Sequence, residues 1–432
     1  MTRPFLDELA WRELLSQHTE GAAEALGSAS TSGYCGFDAS GASLHIGHLV
    51  PVMGLTHLQR AGHRPVALVG GGTGMIGDPS GKSAERNLLT AEQVAEHSAG
   101  LQGQLERFLD FSGPHAAQLR NNANWILSLH LVDFLRDTGK FFSVNTMLAK
   151  DSVKSRLETG ISYTEFSYML LQAYDFLELN RRDGVTLQLG GSDQWGNITA
   201  GTELLRKAAG VEAHGITLPL VTNADGSKFG KTAAGTSVWL DPARTSPYKF
   251  YQHWIHTDDR DAGRYLRMFT LLEREAIEQL EAALAEHPER REAQGALAAD
   301  VTTRVHGQPA TDAARDASRV LFDRKADPRS LSEPVLAMLW DEVPQAHALP
   351  GEGDTISIID VLVDSGLVKS KGDGRRQLQQ GAVTVNGRKL SADEATVPLG
   401  DALSGGFFLV RKGARDVALA RVATSDTPAT EH

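Results

Sequence analysis

Two short apolar runs, each broken off by adjacent glycines, restrict this chain more than any other feature. Pro65-Val66-Ala67-Leu68-Val69 leads into Gly70-Gly71-Gly72-Thr73-Gly74, and Val185-Thr186-Leu187-Gln188-Leu189 leads into Gly190-Gly191. A short run of this kind bounded by turn residues reads as a buried strand, and here as a strand of a parallel sheet in an α/β protein. Open sheets of that class hold their ligands beyond the carboxyl ends of the strands, where both glycine loops fall.

The first loop imitates two phosphate-binding signatures and fits neither. Gly72-x-Gly74-x-x-Gly77 has dinucleotide spacing, but Pro79 and Gly81 interrupt the helix that should follow. Gly77-Asp78-Pro79-Ser80-Gly81-Lys82-Ser83 places three residues between its glycines, where a phosphate cradle needs four. What remains is a loop that turns Asp78, Lys82 and Arg86 toward the crevice.

Phosphate chemistry enters elsewhere. His45-Ile46-Gly47-His48 lies at the start of a segment, Leu44 to about Ala61, whose apolar spacing predicts a helix with Ser43 as its N-cap. Both imidazoles then share the first turn, where free N–H groups and the positive dipole end favour an anion. Pro51 should disturb that helix by removing one backbone donor. Far along the chain, Lys228-Phe229-Gly230-Lys231-Thr232 follows Asp225-Gly226-Ser227, a glycine-punctuated loop with two lysines three residues apart. Together the two stretches suit the triphosphate of ATP.

Residues 161–176 predict a strongly apolar helix with Tyr168, Gln172 and Asp175 on one stripe. A carboxylate in so apolar a helix costs several kcal/mol, on the order of the burial penalty of any unpaired charge, unless a partner meets it. The stripe therefore points at a polar ligand. The loop Gly190-Gly191-Ser192-Asp193-Gln194-Trp195 adds polar donors at a second strand end.

Composition excludes several classes. No window approaches the length of a membrane-spanning helix, and Met1 to Glu8 lacks the apolar core of a secretory signal, so a cytoplasmic protein without membrane contact is expected. One cysteine, Cys35, rules out an intrachain disulfide and a cysteine-rich zinc site. Asn197-Ile198-Thr199 is then not expected to be glycosylated. The net charge of -11 argues against indiscriminate nucleic-acid binding. Against that background, Lys369, Lys371, Arg375, Arg376, Arg388 and Lys389 form a local basic cluster on a helix, a strand and an Asn386-Gly387 turn.

Taken in order, Tyr34-Cys35-Gly36-Phe37-Asp38, the H-x-G-H stretch, Gly77 to Lys82, the Tyr168/Gln172/Asp175 stripe, Gly190 to Trp195 and the lysine loop resemble the bacterial tyrosyl-tRNA synthetases over nearly the whole chain. Ala39-Ser40 stands where that family usually has Pro-Thr, and Thr232 where it often has Ser; both keep a hydroxyl. The resemblance implies a Rossmann-like parallel-sheet class I catalytic domain over 1–222, then a lysine loop and α-helical anticodon-region domain over 223–325. A linker at 326–354, a small α+β S4-like RNA-binding domain at 355–422 and a disordered tail at 423–432 complete it.

The same resemblance implies site roles. Tyr34 and Asp175 hold the substrate phenol; Asp78, Tyr168, Gln172 and Gln194 receive the rest of the tyrosine, its ammonium above all. Cys35, Gly36, Asp38, Gly47, Gly191, Asp193 and Lys231 line the ATP and adenylate site. His45, His48, Lys82, Arg86, Lys228, Lys231 and Thr232 stabilise phosphate charge. The six basic residues of the C-terminal cluster contact RNA. ATP enters as a substrate with Mg2+ and without a tightly held protein metal; L-tyrosine, its tRNA and a second copy in a homodimer are the other expected partners. Two rivals share the scaffold: a tryptophanyl-tRNA synthetase, which has no evident use for Tyr34 opposite Asp175, and a synthetase-like RNA-binding protein without catalysis, which would not need the phosphate motifs.

Overall fold

A computed structural model describes residues 4–78, 89–154, 157, 160–231, 235–323 and 325–423. The chain divides into one unit of residues 1–246 and 253–305, and another of 247–252 and 306–432. The first is built on six strands, β1 (Gln17–His18), β2 (Ser32–Asp38), β3 (Arg64–Gly70), β4 (Gln118–Asn121), β5 (Leu187–Gly191) and β6 (His214–Leu218), in the order β1-β6-β5-β2-β3-β4. All neighbours run parallel except the edge strand β1. The run 65–69 is buried throughout, as a strand covered on both faces must be.

Strand β2 sits at the turning point. Its chain runs first to β3 and β4 on one side, then returns through the helix Tyr163–Asp183 to β5 on the other. That reversal leaves a crevice between the carboxyl ends of β2 and β5. Tyr34, Val66, Leu68, Met169 and Phe176 pack beneath it in one apolar cluster.

Two local expectations are corrected. Apolar spacing over 6–26 predicts one amphipathic helix; the structure has two, Phe5–Trp11 and Ala22–Ser28, separated by β1. Left-handed backbone at Glu13 and Gly21, with φ of 58° and 77°, breaks the helix between them. The histidine helix also begins later than Leu44: a 3-10 turn, Ile46–His48, precedes the α-helix Leu49–Arg60, and His45 caps it in place of Ser43. The Ser43 hydroxyl instead donates to the Leu44 carbonyl and accepts from the Gln104 side chain. Pro51 falls in the first α-helical turn, where an N–H is least missed, and the helix continues to Arg60.

In the second unit, β7 (Gln345–Ala348), β8 (Thr355–Ser357), β9 (Val383–Val385), β10 (Arg388–Lys389), β11 (Thr396–Pro398), β12 (Phe407–Lys412) and β13 (Asp416–Val422) form a five-stranded sheet, β10-β9-β12-β13-β7, and a pair, β11-β8. Helices Ile358–Asp364 and Lys371–Gln379 join Val383, Phe408 and Val410 in its core. Asn386 and Gly387, both at positive φ, make the tight turn between β9 and β10. The stretch 326–354, expected as a linker, carries the helix Glu333–Trp340 and β7. The expected disordered tail lies outside the described residues from 424 onward.

Helix Ala91–Leu105 approaches the loop before His45 so closely at Gly100 that a Cβ there would stand 2.6 Å from the Ala42 carbonyl oxygen. Ala improves intrinsic helix stability by about 1 kcal/mol over Gly, whereas forcing packed backbone apart costs about 1–3 kcal/mol. Gly100→Ala is expected to destabilise the protein in denaturant titration despite its better helix propensity.

Candidate active site

A cavity of about 250 Å³ occupies the crevice. At its deep end the Asp175 carboxylate, 2% exposed, accepts from Asn122 Nδ2 at 2.8 Å and Trp125 Nε1 at 2.7 Å. Burial pushes its pKa up to about 8 against the pull of those two donors. Tyr34 stands beside it, edge-on to Phe176 at 5.2 Å, with its hydroxyl buried and without a hydrogen-bond partner among the described residues. Burial first, then the nearby Asp175 charge, holds that phenol in its protonated form. An orphaned buried hydroxyl costs about 1–3 kcal/mol, which a ligand hydroxyl able to accept and donate would recover.

The other end of the cavity gathers Asp78, Tyr168, Gln172 and Gln194. Gln194 Nε2 donates to Asp78 at 2.6 Å, while Asn197 Nδ2 donates to the side-chain oxygens of Gln172 and Gln194, each at 3.0 Å. Tyr168 donates to Asp38 at 3.0 Å, and burial together with Asp38 keeps its proton in place. Carboxylate and amide oxygens around one small space can accept the protons of an ammonium group.

The two ends are joined. The Thr73 hydroxyl donates to Asp38 at 2.7 Å and accepts from Asn122 Nδ2 at 2.9 Å, the same amide that reaches Asp175. Gly70 makes this possible, because a Cβ there would collide with the Asp38 carboxylate. Among the nucleotide candidates, Cys35, Gly36, Asp38, Gly191 and Asp193 line the cavity with His48. Burial pushes the Cys35 thiol up to about 12, so it stays neutral.

At the mouth, His45 Nδ1 accepts from the Gly47 amide and His48 Nδ1 from the His45 amide, both at 3.1 Å. These bonds assign the ring proton of each neutral imidazole to Nε2, leaving that nitrogen as a donor. Burial, then Lys228 and Lys231, lowers the His45 pKa and keeps it neutral. A side chain at Gly47 would press on the His45 ring, 2.9 Å from its Cβ position. The lysine loop seats on this turn: the Ile46 amide donates to the Val238 carbonyl at 3.0 Å, and Gly230, at φ 87°, brings its backbone to Ile46 and Gly47. Lys228 and Lys231 are exposed on either side of buried Phe229.

Lys82, Arg86 and Thr232 lie outside the described residues. The six basic candidates of the second unit are all exposed; Lys371, Arg376 and Arg388 are paired with Asp360, Asp373 and Glu394. Among the described residues no group of three His, Cys, Asp or Glu side chains gathers to hold a metal. Sequence alone assigns no site role to Thr73, Asn122, Trp125 or Gln188. Asn122 and Trp125 follow β4, a strand too short and polar to announce itself, and only the fold carries them to Asp175.

The crevice, the paired histidines and the lysine loop define a class I aminoacyl-tRNA synthetase, and residues 28–323 match the family model described as tRNA synthetases class I (W and Y). Residues 336–420 match the SYY-like C-terminal domain of tyrosine–tRNA ligase. The chain is 51% identical over 417 residues to the tyrosine–tRNA ligase of Anaeromyxobacter dehalogenans, covering 96% of this chain and 99% of that one. It is 52% identical over 423 residues to that of Roseiflexus castenholzii, with 96% and 99% covered. A truncated mitochondrial tyrosyl-tRNA synthetase from Aspergillus nidulans superposes with a TM-score of 0.66 at 28% identity, covering 74% of this chain and 94% of that one. The chain belongs to the tyrosyl-tRNA synthetase family, whose members are aminoacyl-tRNA ligases.

The Asp175 environment has a pH signature. Unfolded, its carboxyl ionises near 4; folded, it keeps its proton to about 8. The stability this proton confers is full below pH 4 and is lost as pH rises through 8. Stability curves of the wild type and Asp175→Asn are expected to diverge across that window, with an isotope-edited carboxyl stretch titrating near 8 only in the wild type.

Proposed function

We propose that this chain joins L-tyrosine to its tRNA in two steps at the cavity between β2 and β5. The tyrosine carboxylate attacks the α-phosphorus of ATP; the bond to the β-phosphate breaks, and pyrophosphate leaves. A ribose hydroxyl of the tRNA's terminal adenosine then attacks the carbonyl carbon, releasing AMP. The observation that carries the reading is the buried Tyr34 hydroxyl, without a hydrogen-bond partner among the described residues, beside the buried Asp175 carboxyl. A tyrosine phenol satisfies both; phenylalanine satisfies neither, and an indole N–H leaves Tyr34 without an acceptor to donate to.

In this reading Asp78, Tyr168 and Gln172 take the ammonium, with Gln194 beside them. Cys35, Gly36, Asp38, Gly191 and Asp193 take the adenylate. The first step needs no general base, because the attacking carboxylate is already ionised. Its acceleration comes from alignment and from donors aimed at phosphate charge: the Nε2–H groups of His45 and His48, and Lys228 and Lys231, with Lys82, Arg86 and Thr232 assigned by resemblance. Mg2+ arrives on the phosphates of ATP, held mainly by them and by water. Residues 355–422 supply an RNA-binding surface in which Lys369, Lys371, Arg375, Arg376, Arg388 and Lys389 meet backbone phosphates, giving salt-dependent affinity. The work belongs in the cytoplasm, alongside translation; no described helix is long and apolar enough to cross a membrane.

A homodimer completes the proposal. Leu127, Leu131, Val132, Val144 and Tyr163 lie exposed within one stretch of the first unit, and a second copy is the occupant proposed for them. Light scattering is expected to give twice the 46.6 kDa chain mass, and Val132→Lys to lower it toward one chain.

The direct test is amino-acid-dependent exchange of pyrophosphate into ATP with tyrosine, tryptophan and phenylalanine offered separately. Exchange with tyrosine alone is expected. Tryptophan-dependent exchange would transfer the chain to the rival specificity, and silence with all three would leave a binding protein.

A further inference from the structure

The lysine loop is not held by the histidine turn alone. Helix Asp259–Phe269 meets it along one stripe of residues four apart. Asp261, 4% exposed, accepts from the Ala224 amide at 2.8 Å. Tyr265 donates to Asn223 Oδ1 at 2.7 Å. Phe269 stacks face to face on Phe229 at 5.1 Å and 8°, while Tyr265 and Trp254 close around the same ring at 5.2 and 6.1 Å. Phe229 is therefore clamped between Lys228 and Lys231, the two residues whose aim matters.

The helix is itself pinned at the end that carries Phe269. Buried Arg12 donates to the carbonyls of Arg267, Thr270 and Leu272 at 3.0, 2.8 and 2.9 Å, at and just beyond that helix terminus. Glu8 fixes Arg12 at 2.6 Å and Arg274 at 2.7 Å. The first helix of the chain thus secures the surface on which the lysine loop rests.

We propose that Asp259–Phe269 is the seat that aims the lysine loop at ATP, with Asp261, Tyr265 and Phe269 as positioning residues for adenylate formation. The inference rests on the proposed tyrosine activation. Lysine side chains are long and flexible, and a bound phosphate gains from them only to the extent that their backbone is already placed. A buried aromatic between two exposed lysines fixes that backbone while leaving the charges free to reach the ligand.

The test compares single-turnover adenylate formation with tyrosine affinity measured in the absence of ATP. Asp261→Ala and Tyr265→Phe each remove one hydrogen bond and are expected to slow adenylate formation about 3- to 10-fold. Tyrosine affinity is expected to stay within about 2-fold of wild type, since additive behaviour holds for sites without shared partners. Asp261→Asn retains an acceptor oxygen for the Ala224 amide and is expected to recover most of the rate. Phe269→Leu should be slower still, and Tyr265→Phe, which preserves the ring stack, keeps the test open if that variant does not fold. Unchanged rates in folded variants, an equal loss of tyrosine affinity, or failure of Asn to rescue would each overturn the proposal. Wild-type exchange with tyrosine reports separately on the activity itself.

Discussion

Parallel backbone pairing of β2 with a strand on either side is the constraint on which the site depends. Because the chain leaves β2 for β3 on one side and returns to β5 on the other, a crevice opens at the carboxyl ends of the strands. The strand ends then carry minimal side chains: Gly70 on β3 and Gly191 on β5, so that the acid at the end of β2 can reach across. Asp38 touches Thr73 only because Gly70 has no Cβ between them.

The cavity treats its own carboxyl groups differently at its two ends. Asp175 is sealed among aromatic and apolar neighbours and favours its neutral form. Asp38 and Asp78 are tied into hydroxyl and amide donors at the opposite end. One chain of hydrogen bonds through Thr73 and Asn122 connects these regimes, so a change at either end is felt at the other. At the mouth the logic is reversed: His45 stays neutral, and the positive charge resides on lysines exposed to solvent.

What could be read in the chain beforehand was whatever is encoded locally. The strands β3 and β5, the stripe of Tyr168, Gln172 and Asp175 and the Asn386-Gly387 turn each announce themselves within a dozen residues. Helix capping was misread at Ser43 because its hydroxyl is taken by Leu44 and Gln104, a partner sixty residues away. Residues 6–26 looked continuous because composition is silent about the left-handed turns at Glu13 and Gly21. Asn122 is an ordinary surface type by sequence and Trp125 an ordinary core type, and both become donors to Asp175 only through tertiary placement. The same holds for Asp261, whose polar helix hides a stripe that touches the lysine loop.

The buried donors behind Asp175 bear on any attempt to give this fold a different substrate. Replacing Asp175 with an apolar residue would remove the acceptor for Trp125 and one of the two acceptors for Asn122, each in a place that water does not reach. Tyr34 would remain without a partner as well. A pocket redesigned for an apolar amino acid must therefore change Trp125, Tyr34 and Asp175 together, and retain Asn122 for Thr73. On the proposed reading, substrate choice is a property of a connected polar cluster, and single replacements lead into fitness valleys between its workable forms.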